Sequence, residues 1–166
     1  VCGILFNHEG ERRGKEFVTR KITDGVAKIH LGLEDHISLG NLDIKRDWGY
    51  APEYVQGIWS ILQHKKPDDF VIATKENYKI QDFVIECCKI VGLNWKKVFI
   101  INDKSYLRPA EVVSLQGNPS KAKRVLKWSA KTKFKELCKI MVLHDLKEKG
   151  LTLKDAKVIA KKINLK

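Results

Sequence analysis

Val1-Cys2-Gly3-Ile4-Leu5-Phe6-Asn7 is an apolar run that opens onto the polar stretch His8-Glu9-Gly10-Glu11-Arg12-Arg13-Gly14-Lys15. Residues 3–7 read as a buried strand. Residues 8–15, with two Gly and two Arg, read as a loop. Beyond them Phe17, Ile22, Val26 and Ile29 recur at helical spacing as far as Leu31. Strand, polar loop and amphipathic helix in that order are the repeating unit of an α/β fold. The alternation continues with a short strand at 37–39 and a loop at 40–48. Pro52 suits a first helical turn, and Val55, Ile58, Trp59 and Leu62 then share one helix face. Strand 70–73 leads to a helix marked by Ile80, Phe83, Val84, Cys87, Cys88 and Val91 and closed by Gly92. A strand at 98–101 comes next.

Asn118-Pro119 reads as the start of a short helix ending near Leu126. A longer helix at 133–149 is expected to be buried through Phe134, Leu137, Cys138 and Met141, and Gly150 stops it. Thr152 and Asp155 have capping-box spacing, ahead of a last helix striped by Leu153, Ala156, Ile159, Ala160 and Ile163. The expected architecture is α/β: the end of a doubly wound Rossmann-like sheet plus a small mixed α/β lobe. Because the opening residues already read as strand, the sequence is expected to begin in the middle of a fold.

Composition narrows the function classes. At 166 residues, 43% hydrophobic and 31% charged, the chain has the balance of an ordinary globular domain. No apolar run approaches the roughly 20 residues that span a bilayer, so no membrane partner is expected. The net charge is +12. Most of the excess lies from Lys121 onward at amphipathic spacing, with no zinc-finger or RNA-recognition pattern. That favours solvated helix faces over a nucleic-acid partner. Cys2, Cys87, Cys88 and Cys138 form no C-x-x-C pair and sit in apolar stretches. Cysteine there behaves as a small hydrophobe, and a reducing cytoplasm fits best. The five histidines have no metal-ligand spacing, so no metal is expected.

The residues that would carry a dehydrogenase's chemistry are not in this sequence. There is no G-x-G-x-x-G turn. None of Tyr50, Tyr54, Tyr78 or Tyr106 is followed four residues later by Lys. No catalytic residue is therefore assigned. Three Arg-bearing loops remain: residues 6–14, residues 40–50, and Arg108-Pro109-Ala110-Glu111. The guanidinium fork matches phosphate oxygens bidentately. Loops beyond the carboxyl ends of strands are where open α/β sheets bind ligands.

Taken together these loops resemble one family. Asn7-His8-Glu9, Arg12-Arg13-Gly14 and Phe17-Val18-Thr19-Arg20-Lys21-Ile22 are similar to the segment after the catalytic helix of GDP-mannose 4,6-dehydratases, within the extended short-chain dehydrogenase/reductases. So are Leu39-Gly40-Asn41-Leu42-Asp43, Lys45-Arg46-Asp47-Trp48-Gly49-Tyr50, Val71-Ile72-Ala73-Thr74, Tyr106-Leu107-Arg108-Pro109-Ala110-Glu111 and Pro119-Ser120-Lys121-Ala122-Lys123. The likeness runs over about residues 1–149, and 150–166 reads as an added basic helix.

The resemblance implies a lyase that converts GDP-mannose to GDP-4-keto-6-deoxymannose with NADP, on the way to GDP-fucose. Its catalytic Thr, Glu and Tyr-x-x-x-Lys would lie upstream, so this chain would be the C-terminal, substrate-binding part. By the same resemblance His8 and Arg13 touch NADP, most of which is bound elsewhere. Asn7 meets the substrate pyrophosphate, and Phe17, Val18 and Lys21 pack against the base. Leu39, Gly40 and Asn41 form the base-side strand, Arg46 and Arg108 clamp the phosphates, and Glu111 accepts from the ribose. Gly10-Glu11 stand where the family has Ser-Pro. Expected partners are GDP-mannose and either the remaining N-terminal half or a second copy. The competing readings are a non-catalytic nucleotide-sugar-binding fragment and a related nucleotide-sugar epimerase or reductase.

Overall fold

The computed structural model describes residues 1–100 and 112–165. It is mixed α/β, with small parallel pairings flanked by helices. The opening apolar run makes two strands rather than one: β1 (Gly3–Leu5) and β2 (Asn7–Glu9). Phe6 is the switch between them. β1 pairs in parallel with β6 (Phe70–Ile72), and the Phe6 N–H still bonds to the Ile72 carbonyl at 3.0 Å. β2 then pairs in parallel with β5 (Trp48–Tyr50), with Asn7 opposite Trp48 and Glu9 opposite Tyr50. Two stretches expected as loop, 8–9 and 45–50, therefore carry strand. They are only two or three residues long, too short for a period to show, and although Trp48 enters the larger core, Asn7, Glu9 and Arg46 face a cleft. The start is also not buried as expected: Ile4 is 52% exposed, and among the described residues β1 has a strand neighbour on one edge only.

α1 (Val18–His30) follows with Phe17 at its N-cap. β3 (Ile37–Ser38) pairs in parallel with β8 (Phe99–Ile100). β4 (Lys45–Arg46) pairs antiparallel with β7 (Tyr78–Lys79), and residues 113–115 join β4 through Lys45. α2 (Ala51–Gln63) starts at the expected proline. The face named from the sequence is the outward one, however. Val55, Trp59 and Leu62 are each more than 60% exposed, while Tyr54, Gly57 and Ile61 turn inward. Trp59 is thus a surface residue and not a packing one.

α3 (Ile80–Val91) ends at Gly92, whose φ of +82° is the left-handed conformation that a glycine C-cap supplies. α4 (Trp95–Val98), α5 (Ser120–Val125) and α6 (Phe134–Glu148) follow. α7 (Leu153–Leu165) opens with the expected capping box: Thr152 N–H donates to Asp155, and Asp155 N–H donates to the Thr152 hydroxyl at 3.2 Å.

The larger core lies between α1, α3, α6 and α7. It is built from residues such as Ile22, Val26, Val84, Cys87, Cys138 and Met141, and is sealed by Ala156 and Ala160 of α7. A second cluster, Tyr54, Ile61, Phe70, Ile72, Ala122 and Trp128, lies under α2. Cys87, Cys88 and Cys138 are buried free thiols, but Cys2 is exposed, contrary to its expected apolar setting. No described helix is long and apolar enough to cross a membrane.

One packing point is exacting. A Cβ at Gly49 would lie 2.2 Å from the ring of Tyr54, which is fully buried and cannot yield. Gly49→Ala is expected to destabilise the chain by about 1–3 kcal/mol as overpacking. Urea unfolding at unchanged m-value would measure it.

Candidate functional site

β2 and α1 create the first two walls of a cleft of about 290 Å³. Alternation along β2 turns Asn7 and Glu9 into the cleft and His8 away from it. The first turn of α1 contributes Phe17, Val18 and Lys21. Leu39, Gly40 and Asn41, leaving β3, form the third wall, and Arg46 of β4 closes the side. All of these residues except Glu9, eight in number, were singled out from sequence for substrate contact. They come from four separate segments and surround one space. Arg13, expected at the cofactor, lines the same cleft. His8 lies on the far side of β2, stacked on Tyr54 with ring centroids 5.2 Å apart, and its Nδ1 donates to the Phe6 carbonyl at 2.9 Å. Arg108 and Glu111 lie outside the described residues.

The cleft has an apolar and a charged part. Val18, Leu39, Leu42, Trp48 and Ile80 offer flat apolar surface, and Arg13, Lys21 and Arg46 bring positive charge. The first turn of α1 carries no acidic residue and no side-chain cap of its own, and the Glu9 carboxylate meets it through Thr19. An apolar slot beside converging cations suits a planar base joined to a diphosphate.

The supporting contacts centre on two buried carboxylates, Asp47 and Asp145. Asp47, next to Arg46, is fully buried and accepts from the Thr74 N–H at 2.9 Å and the Thr74 hydroxyl at 2.6 Å. Its other oxygen accepts from the Lys75 and Gly117 N–H groups, each at 3.1 Å. Arg46 itself donates to the Lys45 and Val112 carbonyls, at 2.9 and 2.7 Å. The loop over residues 10–13 is held from below by Arg20. That side chain donates to the Glu11 and Arg13 carbonyls and pairs with buried Asp145 at 2.7 Å. Asn41 tightens its own turn by accepting from the Asp43 N–H at 2.9 Å.

Among the cleft residues not singled out from sequence for this role, three are polar: Glu9, Thr19 and Glu16. Glu9 is buried, accepts from the Thr19 hydroxyl at 2.6 Å and lies 3.1 Å from Arg13 Nε. Burial pushes its carboxyl above the usual range, against the Thr19 hydrogen bond and the charges of Arg13 and His8. Glu9 was readable only as loop polarity. The signal that would have found it is the i, i+2 pairing with Asn7 once residues 7–9 are recognised as strand. Glu11, at the Gly10-Glu11 departure, points elsewhere and accepts from the Tyr50 hydroxyl at 3.1 Å.

Comparisons with known proteins bear on the family and the fold. The family model described as GDP-mannose 4,6 dehydratase matches residues 1–141. The chain is 50% identical over 144 residues to GDP-mannose 4,6 dehydratase 2 of Arabidopsis thaliana, covering 87% of this chain and 38% of that protein. It is 46% identical over 162 residues to GDP-mannose 4,6 dehydratase of Homo sapiens, covering 88% of this chain and 44% of that protein. Among solved structures, RMD from Pseudomonas aeruginosa complexed with NADPH superposes with a TM-score of 0.78 at 16% identity, covering 88% of this chain and 48% of that one. The expected Rossmann-like α/β class is that of these neighbours. The chain spans about two fifths of the length of the relatives it matches. With a family model covering residues 1–141 and close to half of its residues shared with such relatives, the chain belongs to the GDP-mannose 4,6 dehydratase family.

Proposed function

We propose that this chain supplies the nucleotide-sugar cleft of a GDP-mannose 4,6-dehydratase, which forms GDP-4-keto-6-deoxymannose. One observation carries the reading: eight residues from four segments, each matched in advance to a substrate contact, line a single cleft. In this reading Phe17, Val18 and Leu39 sandwich the guanine, with Lys21 at its edge. Arg46 and Asn7 hold the diphosphate, and Glu9 faces the sugar end beside Asn7. These groups bind and orient. No Tyr-x-x-x-Lys is present among the 166 residues to move the proton.

NADP, when bound, would supply the uptake and return of hydride. His8 and Arg13 fit one end of it, because both border a neighbouring cavity of about 410 Å³ and the Arg13 Nε–H makes no directed hydrogen bond. Residues 1–149 form the ligand-binding part in this reading, and α7 is an addition that braces α1, α3 and α6. Three buried free thiols support a reducing, cytoplasmic setting.

Titration calorimetry of the chain with GDP tests the proposal. GDP is expected to bind more tightly than UDP, and Arg46→Ala to weaken GDP roughly 10–100-fold, the scale of one or two charge-assisted hydrogen bonds. No heat and no thermal shift at millimolar GDP would remove the reading.

A further inference from the structure

Arg13 is the common wall of three spaces: the cleft, the 410 Å³ cavity behind Asn7, and a third cavity of about 680 Å³ bordered by Tyr50 and His144. Its backbone is fixed, because its N–H bonds to the Gly10 carbonyl at 3.1 Å and its carbonyl accepts from Arg20. Its side chain is held in two ways. The guanidinium carbon sits 3.5 Å above the Phe17 ring, and Nε lies 3.1 Å from the Glu9 carboxylate. The N–H at Nε is not aimed at that oxygen and is left without an acceptor. The contact with Glu9 is therefore a pairing of charges, not a directed bond. A buried donor remains available to whatever enters beside it.

Glu9 is suited to this work because it cannot move. It is buried, its strand is paired to β5, and the Thr19 hydroxyl fixes one carboxylate oxygen. We propose, resting on the nucleotide-sugar reading above, that Glu9 is a positioning residue whose ionised carboxylate holds Arg13 as the charged partition between the nucleotide-sugar cleft and the adjoining cavity. A sugar nucleotide on one side and an anionic cofactor on the other would then meet one guanidinium already in place.

The groups facing Glu9 define its titration. Arg13 acts from the loop, Thr19 from α1, His8 from its own strand and Tyr54 from α2, while Lys21, Glu16, Arg46, Glu11, Arg12, Tyr50 and His144 line the same spaces. Burial outweighs the favourable partners, so the carboxyl takes up its proton above the usual carboxylate range. As pH falls through that raised value Arg13 loses its counter-charge, and ligand affinity falls with it.

The test compares the full chain with Glu9→Gln and Glu9→Asp. In the unaltered chain the Arg13 Nε–H resonance is expected to shift with a single midpoint above the ordinary carboxylate range. Glu9→Gln, which keeps the Thr19 hydrogen bond, should abolish that shift, and Glu9→Asp should partly keep it. At neutral pH Glu9→Gln is expected to weaken GDP-mannose binding roughly tenfold, the scale of one charge-assisted contact, and to flatten the acid side of the affinity profile. An Arg13 resonance identical in the two chains at every pH overturns the assignment. So does equal GDP-mannose affinity across pH, which would leave the nucleotide reading intact. If the unaltered chain takes up no GDP-mannose, the nucleotide reading falls and the Arg13 titration alone decides the role of Glu9.

Discussion

Asp145→Ala is expected to lower the unfolding free energy by about 3–5 kcal/mol, because it strands the buried Arg20 guanidinium without its counter-ion. Arg20 Nε donates to both Asp145 oxygens, at 2.9 and 3.1 Å, and its outer nitrogen pairs with the same carboxylate at 2.7 Å. With Asp145 gone, the charge can only withdraw from the Glu11 and Arg13 carbonyls or remain buried at full cost. Either outcome releases the loop that positions Arg13. The damage should therefore exceed a core truncation at neighbouring Val142, and should appear both as a lower urea midpoint and as weaker nucleotide binding. The double change Arg20→Met with Asp145→Leu removes both charges and is expected to recover most of the stability, though not the loop. Asp145→Ala as stable as the unaltered chain would show that the pair does not bear on folding, and a double variant no more stable than the single would show that the stranded charge is not the cause.

Asp47→Asn comes close in size, at about 2–4 kcal/mol, and its effect is directional. A carboxylate can accept on both oxygens, and Asp47 uses this to bind Thr74 on one side and Lys75 and Gly117 on the other. An amide accepts on one side only. Its NH₂ group would confront two N–H donors or be flipped against the Thr74 N–H, leaving buried donors unmatched at about 1–3 kcal/mol each. Hydrogen exchange should locate the change. The amides of Gly117 and Lys75, or that of Thr74, should lose protection while α6 stays protected. Because Asp47 adjoins Arg46, GDP affinity should fall as well. Unchanged protection at all three amides would contradict this account.

The helices were legible in the sequence because their apolar spacing coincides with burial. α3 is the clearest case, with Phe83, Val84, Cys87, Cys88 and Val91 inward and a left-handed glycine at its end. α2 shows how that inference fails. Its most apolar stripe faces outward, and Tyr54 and Gly57 on the inner face carry little hydrophobic signal of their own. Periodicity reports amphipathicity and does not say which side is covered. The short strands were harder. β2 and β4 are two or three residues long, line a polar cleft and pair with partners far along the chain, so neither alternation nor hydrophobicity marks them. The site was legible mainly through resemblance. The Arg and Asn loops alone would have suggested only an anion. The buried supports Asp47, Arg20 and Asp145 had no separate signal, since a charged residue in a polar stretch or on a helix reads as surface until its partner is located.

The pairings of β1 and β2 also set a timetable for synthesis. Asn7 must wait for Trp48, and Gly3 for Phe70. At about 5–20 residues per second those intervals last between roughly 2 and 13 s. Until then residues 3–9 lack the β6 and β5 partners that the folded chain gives them. Slowing translation between residues 10 and 70 would lengthen that interval without altering the pairings finally made.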